Sequence, residues 1–556
     1  MFQACQEVGQ RCSKRALFHG VKQAFATTAA LEGDTTIDPR RIEYAGWESS
    51  LSLVRSVSWN YVGYCVEFGT GLLLVAYVVR RVSVHDYGIY LLAQSIAAFL
   101  YLLELGIGGV LVPLYVSTMS QKGIAEVSRL ASTLTLTLLG LGAGGACVLT
   151  AIALLLPRVL RLPSAHTGLG IEVVIIASAA VMLSLPQVAL EQLCQAFHRF
   201  DRVNQVQIAV TLVRAILSVA VLAAGKGIVA LAAVQVVVSL FRLCGLWVVA
   251  QAAIPGLSLG LSFHGSFLPH VFGMSRWAFG DDLSRRIGMN SEQVILGAMS
   301  SFEQVALFGM GSRLPAHLYQ FAARGLSVLF PTLSEHYAQG DTARLRSTFS
   351  DALRICVTGI VPMATFAAIS ARPLMRVWAG PAYENAAPVL SFLLISALST
   401  IVVLPSDMVL YSHGRVPQAA RFSIVETLGK IAVALVLATR FGAVGVAAGV
   451  AVWHWCVNLF LYFPAACRVA EIRIFQLWRA TFFERAQRAS NTSPTLILGS
   501  AYIAGAAILM VGVGQLSTLE MLLLCAVSSL GYCLVWMHYT VLPMWRQGRA
   551  RVSAIP

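Results

Sequence analysis

The chain has 556 residues, of which 57% are hydrophobic and only 12% are charged, and its formal net charge is +14. Soluble domains carry roughly 25% charged residues, so this composition excludes a soluble enzyme, a disordered protein and a disulfide scaffold. The mean hydropathy of +0.73 predicts an integral membrane protein. The basic excess is assigned to loops rather than to nucleic-acid binding. The 11 cysteines show no metal-ligand spacing, so no metal site is predicted.

Fourteen apolar stretches are long enough to cross a membrane as helices, which takes about 20 residues each. They lie at 57–79, 88–117, 130–156, 171–193, 205–224, 228–251, 277–299, 305–330, 354–371, 388–411, 422–439, 443–464, 495–514 and 520–542. With the N-terminus inside, most of the 40 basic residues fall in cytoplasmic segments. Both termini are therefore predicted to be cytoplasmic. The outer loops leave no room for a catalytic domain, so no catalytic residue is predicted.

The first twelve spans form two related sets of six. A shift of 218 residues places Trp59 on Trp277, and a shift of 216 residues places Arg214 on Lys430. An even number of spans gives both halves the same orientation, so they are parallel repeats with a substrate site expected between them. The predicted fold is an all-α polytopic membrane protein with two six-helix lobes and two C-terminal helices. Its predicted parts are a cytoplasmic tail (1–56), an N-lobe (57–251), a linker (252–276), a C-lobe (277–464), a cytoplasmic loop (465–494), spans 13 and 14 (495–542) and a C-terminal tail (543–556).

Two basic residues lie near the middle of spans 5 and 11, at equivalent positions of the repeat. They are Arg214 and Lys430. An ionisable residue at mid-span costs about 2.5–3.5 kcal/mol on insertion scales, so each one needs a reason. If the two face one cavity, they would bind an anionic headgroup such as a phosphate. A structural ion pair is the alternative for Lys430, because Glu426 lies four residues earlier on the same helix face.

Span 8 carries a polar stripe at helical spacing, made of Arg313, His317, Gln320 and Arg324. The intervals of four, three and four residues place all of them on one face. Such a face is excluded from lipid, so it is predicted to line the substrate cavity or, alternatively, to form a buried hydrogen-bonding seam. Two arginines without an acid on the stripe favour the cavity.

Span 7 carries two acids followed by two bases, and span 1 carries one acid. Asp281, Asp282, Arg285 and Arg286 form two i,i+4 pairs in the favourable order, so the charges neutralise each other or line the cavity. Glu67 aligns with Arg285 under the 218-residue shift. Glu67, Asp281 and Asp282 are candidates for ion coupling, and Arg285 and Arg286 for substrate binding. A permanent ion pair between Glu67 and a span 7 arginine remains the alternative.

Two acids lie at equivalent positions near the cytoplasmic ends of spans 4 and 10. These residues, Glu191 and Asp407, are candidate gate residues. Their expected partners are Arg199, Arg415 or basic residues of the opposite lobe. Ordinary interfacial charges would give the same pattern.

Several short motifs, in order along the chain, resemble those of the bacterial polysaccharide-biosynthesis flippases. They are Asp86-Tyr87-Gly88-Ile89-Tyr90, Gln94-Ser95, Leu103-Glu104-Leu105-Gly106, Leu329-Phe330-Pro331-Thr332-Leu333-Ser334, Val377-Trp378-Ala379-Gly380 with Tyr383, and Gly414-Arg415. The similarity extends over roughly residues 52–465. The resemblance implies a lobed helical bundle of the multidrug, oligosaccharidyl-lipid and polysaccharide exporter superfamily. It also implies alternating access powered by an H⁺ or Na⁺ gradient, with no other cofactor.

The leading hypothesis is a flippase for a polyprenyl-diphosphate-linked oligosaccharide in O-antigen, capsule or exopolysaccharide synthesis at the bacterial inner membrane. Alternatives on the same fold are a multidrug or organic-cation exporter and a lipid II flippase. A membrane-embedded glycosyltransferase or polymerase is disfavoured by the short outer loops and the lack of a DxD motif. The expected partners are the lipid-linked substrate, a polysaccharide polymerase and chain-length machinery. The chain itself is expected to be a monomer.

Overall fold

The structure is a computed structural model that describes residues 63–64, 66–159, 164–197, 199–326, 329–473 and Tyr532. Regular secondary structure in these ranges is helical throughout, which confirms the predicted all-α class. The tail 1–56, most of the loop 465–494, spans 13 and 14 and the C-terminal tail lie outside the described residues. The count of fourteen spans and the predicted domain boundaries therefore stay predictions.

The first seven helices of the described ranges form the N-terminal bundle. They are α1 (66–81), α2 (Val84–Ala98), α3 (Gly108–Lys122), α4 (Ile124–Val159), α5 (Ser164–Ala196), α6 (Phe200–Ala223) and α7 (Ile228–Ala253). Helix α5 lies at the centre of this bundle and packs against α2, α3, α4 and α7. Ser83 caps α2, because its side chain accepts a hydrogen bond from the Asp86 amide.

The C-terminal bundle contains the remaining described helices. They are α8 (Leu268–Met299), α9 (Phe302–Leu326), α10 (Leu329–Ala338), α11 (Thr342–Ile355), α12 (Val361–Ile369), α13 (Ala371–Trp378), α14 (Ala387–Ser412), α15 (Val416–Val457) and α16 (Phe463–Val469). Helix α14 is central and contacts α9, α12 and α15. Helix α8 begins nine residues before the predicted span, so the last part of the predicted linker is helical. Helices α10 and α11 lie in a stretch predicted to connect spans 8 and 9.

Eight helical stretches of the described ranges are long and apolar enough to cross a membrane. One of them, Pro417–Val469, has 53 residues. At 1.5 Å per residue it would measure about 80 Å, far more than the roughly 30 Å hydrocarbon core, so it supplies two crossings. The break falls at Gly442 within α15, where φ is +57°. A positive φ suits glycine because it has no Cβ, and this explains why spans 11 and 12 are separated there.

The two bundles meet along a seam formed by α2 of the N-terminal bundle with α8 and α9 of the C-terminal bundle. Glycines allow this close approach. A Cβ at Gly88 of α2 would lie 1.8 Å from the Phe302 carbonyl oxygen, and one at Gly309 of α9 would lie 2.3 Å from Leu91 Cδ1. The glycine of the Asp86–Tyr90 motif is therefore a packing requirement of the seam.

Candidate functional site

A first cavity, of about 260 Å³, lies among α1, α2, α6, α7 and α9 and is called the N-cavity below. Its walls include aromatic rings of Tyr87, Tyr90 and Trp378. Its charged lining residues are Glu67, Arg214 and Arg313, and its polar ones include Gln235 and His317. With histidine neutral, two arginines and one carboxylate give the N-cavity a net charge of +1.

Arg214 projects from α6 into the N-cavity, and no carboxylate among the described residues lies within salt-bridge distance of it. Its Nε atom is buried and has no hydrogen-bond partner. Arg313 of α9 approaches only a neutral group in the described contacts, the Tyr87 hydroxyl, at 3.5 Å. Two guanidinium groups thus face one cavity without direct neutralisation. A buried cation without a counter-ion is costly, so this arrangement favours an anionic ligand.

One end of the N-cavity is closed by α13, and this end is called the Trp378 end below. The Trp378 indole Nε1 donates a hydrogen bond of 2.9 Å to the Leu72 carbonyl oxygen of α1. Arg80, eight residues further along α1, donates to the Val377 carbonyl oxygen. Helix α13 belongs to the C-terminal bundle, so these contacts hold the two bundles together over the cavity. The loop predicted at 372–387 therefore contains the cover of this cavity.

A second cavity, of about 600 Å³, lies among α8, α9, α14 and α15 and is called the C-cavity below. Its charged lining residues are Arg285, Glu292, Asp407, Glu426 and Lys430. The Lys430 Nζ atom lies 2.8 Å from Glu292 Oε1 and also donates to the Gly288 carbonyl oxygen. Lys430 therefore forms its ion pair with Glu292 on the neighbouring helix α8. It does not pair with Glu426 on its own helix, which was the alternative. Three carboxylates and two bases give the C-cavity a net charge of −1.

Arg214 and Lys430 line different cavities, so the expectation that they face one shared space is wrong. The reason is the position of α9, which stands between the two cavities. Its polar stripe faces the boundary: Arg313 and His317 line the N-cavity, whereas Gln320 lines the C-cavity. Arg324 lies over the Tyr64 ring, 4.3 Å from its centroid. A stripe on one helical face thus serves two sites.

Polar contacts also cross the seam between the bundles at three depths. His85 Nδ1 lies 2.7 Å from Glu303 Oε1, and the Ser95 hydroxyl donates to Gln293 at 2.6 Å. Arg286 of α8 forms a 2.7 Å ion pair with Glu104, the residue that ends the Phe99–Glu104 turn after α2. Arg286 therefore binds the opposite bundle and does not line either cavity. The side chains of Asp281 and Asp282 lie outside the described residues, so their predicted roles stay predictions.

The gate hypothesis places Glu191 against Arg199, Arg415 or the opposite bundle, and the structure gives it a different partner. Arg242 of α7 donates to Glu191 at 2.7 Å and to Gln187 at 2.8 Å, all within the N-terminal bundle. Glu191 therefore joins α5 to α7. Asp407 of α14 lines the C-cavity. Glu67 lines the N-cavity, and no base of the described residues lies within salt-bridge distance of it.

Sequence reasoning missed the uncharged residues of both sites. Tyr87 and Tyr90 belong to a quoted motif, yet nothing in their spacing marks them as lining the N-cavity. In the C-cavity, His454 lies 3.3 Å from Glu426 and contacts Ser396. The one feature of the sequence that indicates His454 is its position as an ionisable residue within an apolar span. No group of three or more His, Cys, Asp and Glu in the described ranges has the geometry of a metal site.

The profile of a family described as polysaccharide biosynthesis proteins matches residues 77–388, more than half of the chain. The chain belongs to this family. The matched range includes the seam, the cover α13 and most N-cavity walls, and it confirms the resemblance inferred from the motifs. No curated protein matches the sequence.

Three solved structures have similar folds. The lipid II flippase MurJ, in an inward closed conformation, has a TM-score of 0.64 and 12% identity, over 87% of this chain and 99% of that one. An inward-facing multidrug resistance MATE transporter has a TM-score of 0.57 and 13% identity, over 72% of this chain and 98% of that one. A MOP superfamily transporter from Pyrococcus furiosus, described as having a binding pocket of reverse polarity, has a TM-score of 0.57 and 13% identity, over 75% of this chain and 95% of that one. The chain thus shares the multi-pass membrane fold of these three proteins.

Proposed function

We propose that the chain flips a polyprenyl-diphosphate-linked oligosaccharide across the bacterial inner membrane for surface polysaccharide synthesis. The observation that carries this proposal is Arg214, a guanidinium in the N-cavity with no carboxylate of the described residues within salt-bridge distance. A diphosphate would supply the missing negative charge. Arginine suits this ligand, because its planar fork donates two parallel hydrogen bonds to phosphate oxygens and stays protonated.

The size and lining of the N-cavity support the headgroup as its ligand. Its volume of about 260 Å³ is at the lower limit of ordinary ligand pockets, which suits a diphosphate and a first sugar rather than a whole oligosaccharide. The rings of Tyr87, Tyr90 and Trp378 offer flat surfaces to the sugar. The rest of the substrate would occupy the space that opens when α13 leaves α1. Alternating access then consists of breaking the Trp378 end while the opposite end closes.

The topology and surroundings of the chain follow from the same proposal. With cytoplasmic termini, α1 runs outward and the Trp378 end faces the periplasm. A polysaccharide polymerase and its chain-length machinery would receive the flipped lipid there. We expect the chain to act as a monomer, because residues of one chain line both cavities and the seam joins the two bundles.

A multidrug or organic-cation exporter is the second candidate, and the C-cavity is the observation that favours it. Its three carboxylates exceed its two bases, as a cationic ligand requires. Lipid II export is a narrower form of the first candidate, since lipid II also carries a polyprenyl diphosphate. The family match supports the polysaccharide substrate over both.

Replacing Arg214 by Ala should lower surface-polysaccharide output about 10–150-fold, because one charge-assisted hydrogen bond contributes about 1.5–3 kcal/mol. Arg214→Lys should retain part of the output, since it keeps the charge but loses the fork. The measurement is polysaccharide produced by a deletion strain carrying each variant, divided by the amount of membrane-inserted protein.

The matched control is Arg129→Ala, because the Arg129 side chain is 58% exposed and pairs only locally with Glu126 in the described contacts. It should leave output unchanged. Binding of a short-chain polyprenyl diphosphate to the purified protein should weaken in Arg214→Ala and persist in Arg129→Ala. Normal output and binding in Arg214→Ala would contradict the anionic site. Export of organic cations by the wild type would favour the second candidate.

A further inference from the structure

The C-cavity contains a chain of three polar side chains that the anionic site does not use. His454 stands in the middle of this chain, on the second half of α15. Its Nδ1 atom lies 2.5 Å from the Ser396 hydroxyl oxygen of α14. Its Nε2 atom lies 3.3 Å from Glu426 Oε1, on the first half of α15. All three side chains line the cavity.

The hydrogen-bond roles in this chain leave room for one additional proton. A neutral imidazole carries one N–H, which at Nε2 donates to the Glu426 carboxylate, while Nδ1 accepts from the Ser396 hydroxyl. An added proton binds either to a carboxylate oxygen, forming O–H, or to Nδ1, forming N–H. The serine hydroxyl can accept as well as donate, so it remains bonded in both states. The group thus takes up and releases a proton without losing its contacts.

The residues that line the C-cavity around Glu426 and His454 carry one more negative charge than positive charge. Lys430 lies on the same helix, but its ammonium group is engaged by Glu292 and the Gly288 carbonyl oxygen. One proton bound at Glu426 or His454 would bring the C-cavity from −1 to neutral. Net charge is costly at membrane depth, so proton uptake lowers this cost. The titratable and charged groups that line the cavity around the pair are Arg285 and Glu292 of α8, Tyr319 of α9, Asp407 and Tyr411 of α14, Lys430 of α15 and Tyr462 of the turn after α15.

The backbone around the pair connects it to helix movement. Glu426 and His454 lie on opposite sides of the Gly442 break, and the Trp453 indole donates to the Glu426 carbonyl oxygen at 2.9 Å. A π-helical turn, Asn458–Tyr462, begins one helical turn after His454. Such turns often occur at functional sites, since they loosen the regular hydrogen bonding of a helix. Protonation therefore changes the charge of the hydrogen bond between Glu426 and His454, which is one of the contacts between spans 11 and 12.

We propose that Glu426, His454 and Ser396 form the binding site of the coupling proton, which rests on the proposed transport function. The proton enters the C-cavity from one aqueous phase, binds at Glu426 or His454, and leaves to the other phase after the bundles have rearranged. The diphosphate-binding N-cavity and the proton-binding C-cavity share α9 as their common wall. This assignment places coupling in α14 and α15, away from Glu67 and the acids of α8.

The first test measures proton binding on the full-length protein in lipid nanodiscs, without any substrate. Acid titration followed by infrared difference spectroscopy should reveal the carbonyl stretch of a newly protonated carboxyl group. Glu426→Gln should remove this band, and His454→Gln should shift the pH at which the band appears. Glu471→Gln is the matched control, because the Glu471 side chain is 71% exposed, and Arg214→Ala should also keep the band. A band that survives unchanged in Glu426→Gln would overturn the proposal.

The second test measures coupling in proteoliposomes, with a fluorescent short-chain polyprenyl diphosphate as the probe. An imposed pH gradient should accelerate its movement by the wild type, whereas Glu426→Gln should move it at one rate with and without the gradient. Acceleration by a sodium gradient in place of the pH gradient would overturn the proton assignment. If neither the wild type nor the variant moves the probe while the infrared band still depends on Glu426, the proposed substrate is wrong. The proton site would then stand on the infrared result alone.

Discussion

Replacing Lys430 by Met should lower the free energy of unfolding by about 3–5 kcal/mol, because it leaves the Glu292 carboxylate buried without its cation. The two side chains are only 10% and 8% exposed, and their charged atoms lie 2.8 Å apart. The pair also ties α15 to α8 through the Gly288 carbonyl oxygen. Thermal and denaturant unfolding of the protein in nanodiscs would measure the loss.

The double variant Lys430→Met with Glu292→Gln should recover most of that stability. Replacing both members of a buried ion pair by neutral groups is often nearly neutral, since no charge remains to be desolvated. Lys226→Met is the control for loss of a lysine, because Lys226 is exposed at the turn between α6 and α7. Equal stability of Lys430→Met and the wild type would mean that Glu292 has another cationic partner.

The helical framework could be predicted from the sequence, because a membrane span leaves a strong signal of about 20 apolar residues. The structure differs from the prediction at short elements, whose formation depends on a few neighbouring residues. Helix α11 was missed inside a predicted connection, although Leu345, Phe349 and Leu353 recur every four residues and are buried. The break after α2 depends on Leu105, which adopts a left-handed φ of 54° without being glycine. Nothing in the sequence marks such a residue.

The charged residues of the site could be found from the sequence, but their partners could not. Hydropathy shows that a charge lies inside a span, whereas the packing angle decides which neighbour it meets. The helical spacing offers Glu426 as a partner for Lys430, yet Lys430 binds Glu292 on α8. The sequence predicts Arg199, Arg415 or a base of the opposite lobe as the partner of Glu191, yet Glu191 binds Arg242 of its own bundle. The separation into two cavities likewise depends on α9 lying between the bundles, which no repeat alignment reveals.

The opposite charges of the two cavities fit exchange of unlike ligands within one protein. The N-cavity has a net charge of +1 and the C-cavity one of −1. A diphosphate in the first would meet a cavity of opposite charge, and a proton in the second would bring that cavity to neutral. Because α9 lines both cavities, binding in either cavity would bias the same movement of the bundles. Such coupling requires the seam between the bundles to exist in two arrangements.

Replacing Gly88 by Ala should favour the arrangement in which the Trp378 end is open. The new Cβ would lie 1.8 Å from the Phe302 carbonyl oxygen, a backbone atom that cannot turn aside. Overpacking of this kind costs about 1–3 kcal/mol, which corresponds to roughly 5–150-fold in a two-state equilibrium. The cost arises only while α2 and α9 are in contact, so it falls on the closed arrangement. Hydrogen–deuterium exchange should become faster in peptides that cover α13 and residues 66–81.

Gly140→Ala provides the matched comparison, because Gly140 also lies in a helix but has no atom within 4 Å of the position that a Cβ would take. Both substitutions gain the same helix propensity, about 1 kcal/mol, so the difference between them isolates the contact with Phe302. Exchange at α13 should stay at the wild-type rate in Gly140→Ala. If Gly88→Ala instead accelerates exchange throughout α2 and α9 and leaves α13 protected, the glycine stabilises the fold of the seam. The seam would then have a single arrangement at this end, and alternating access would have to arise elsewhere.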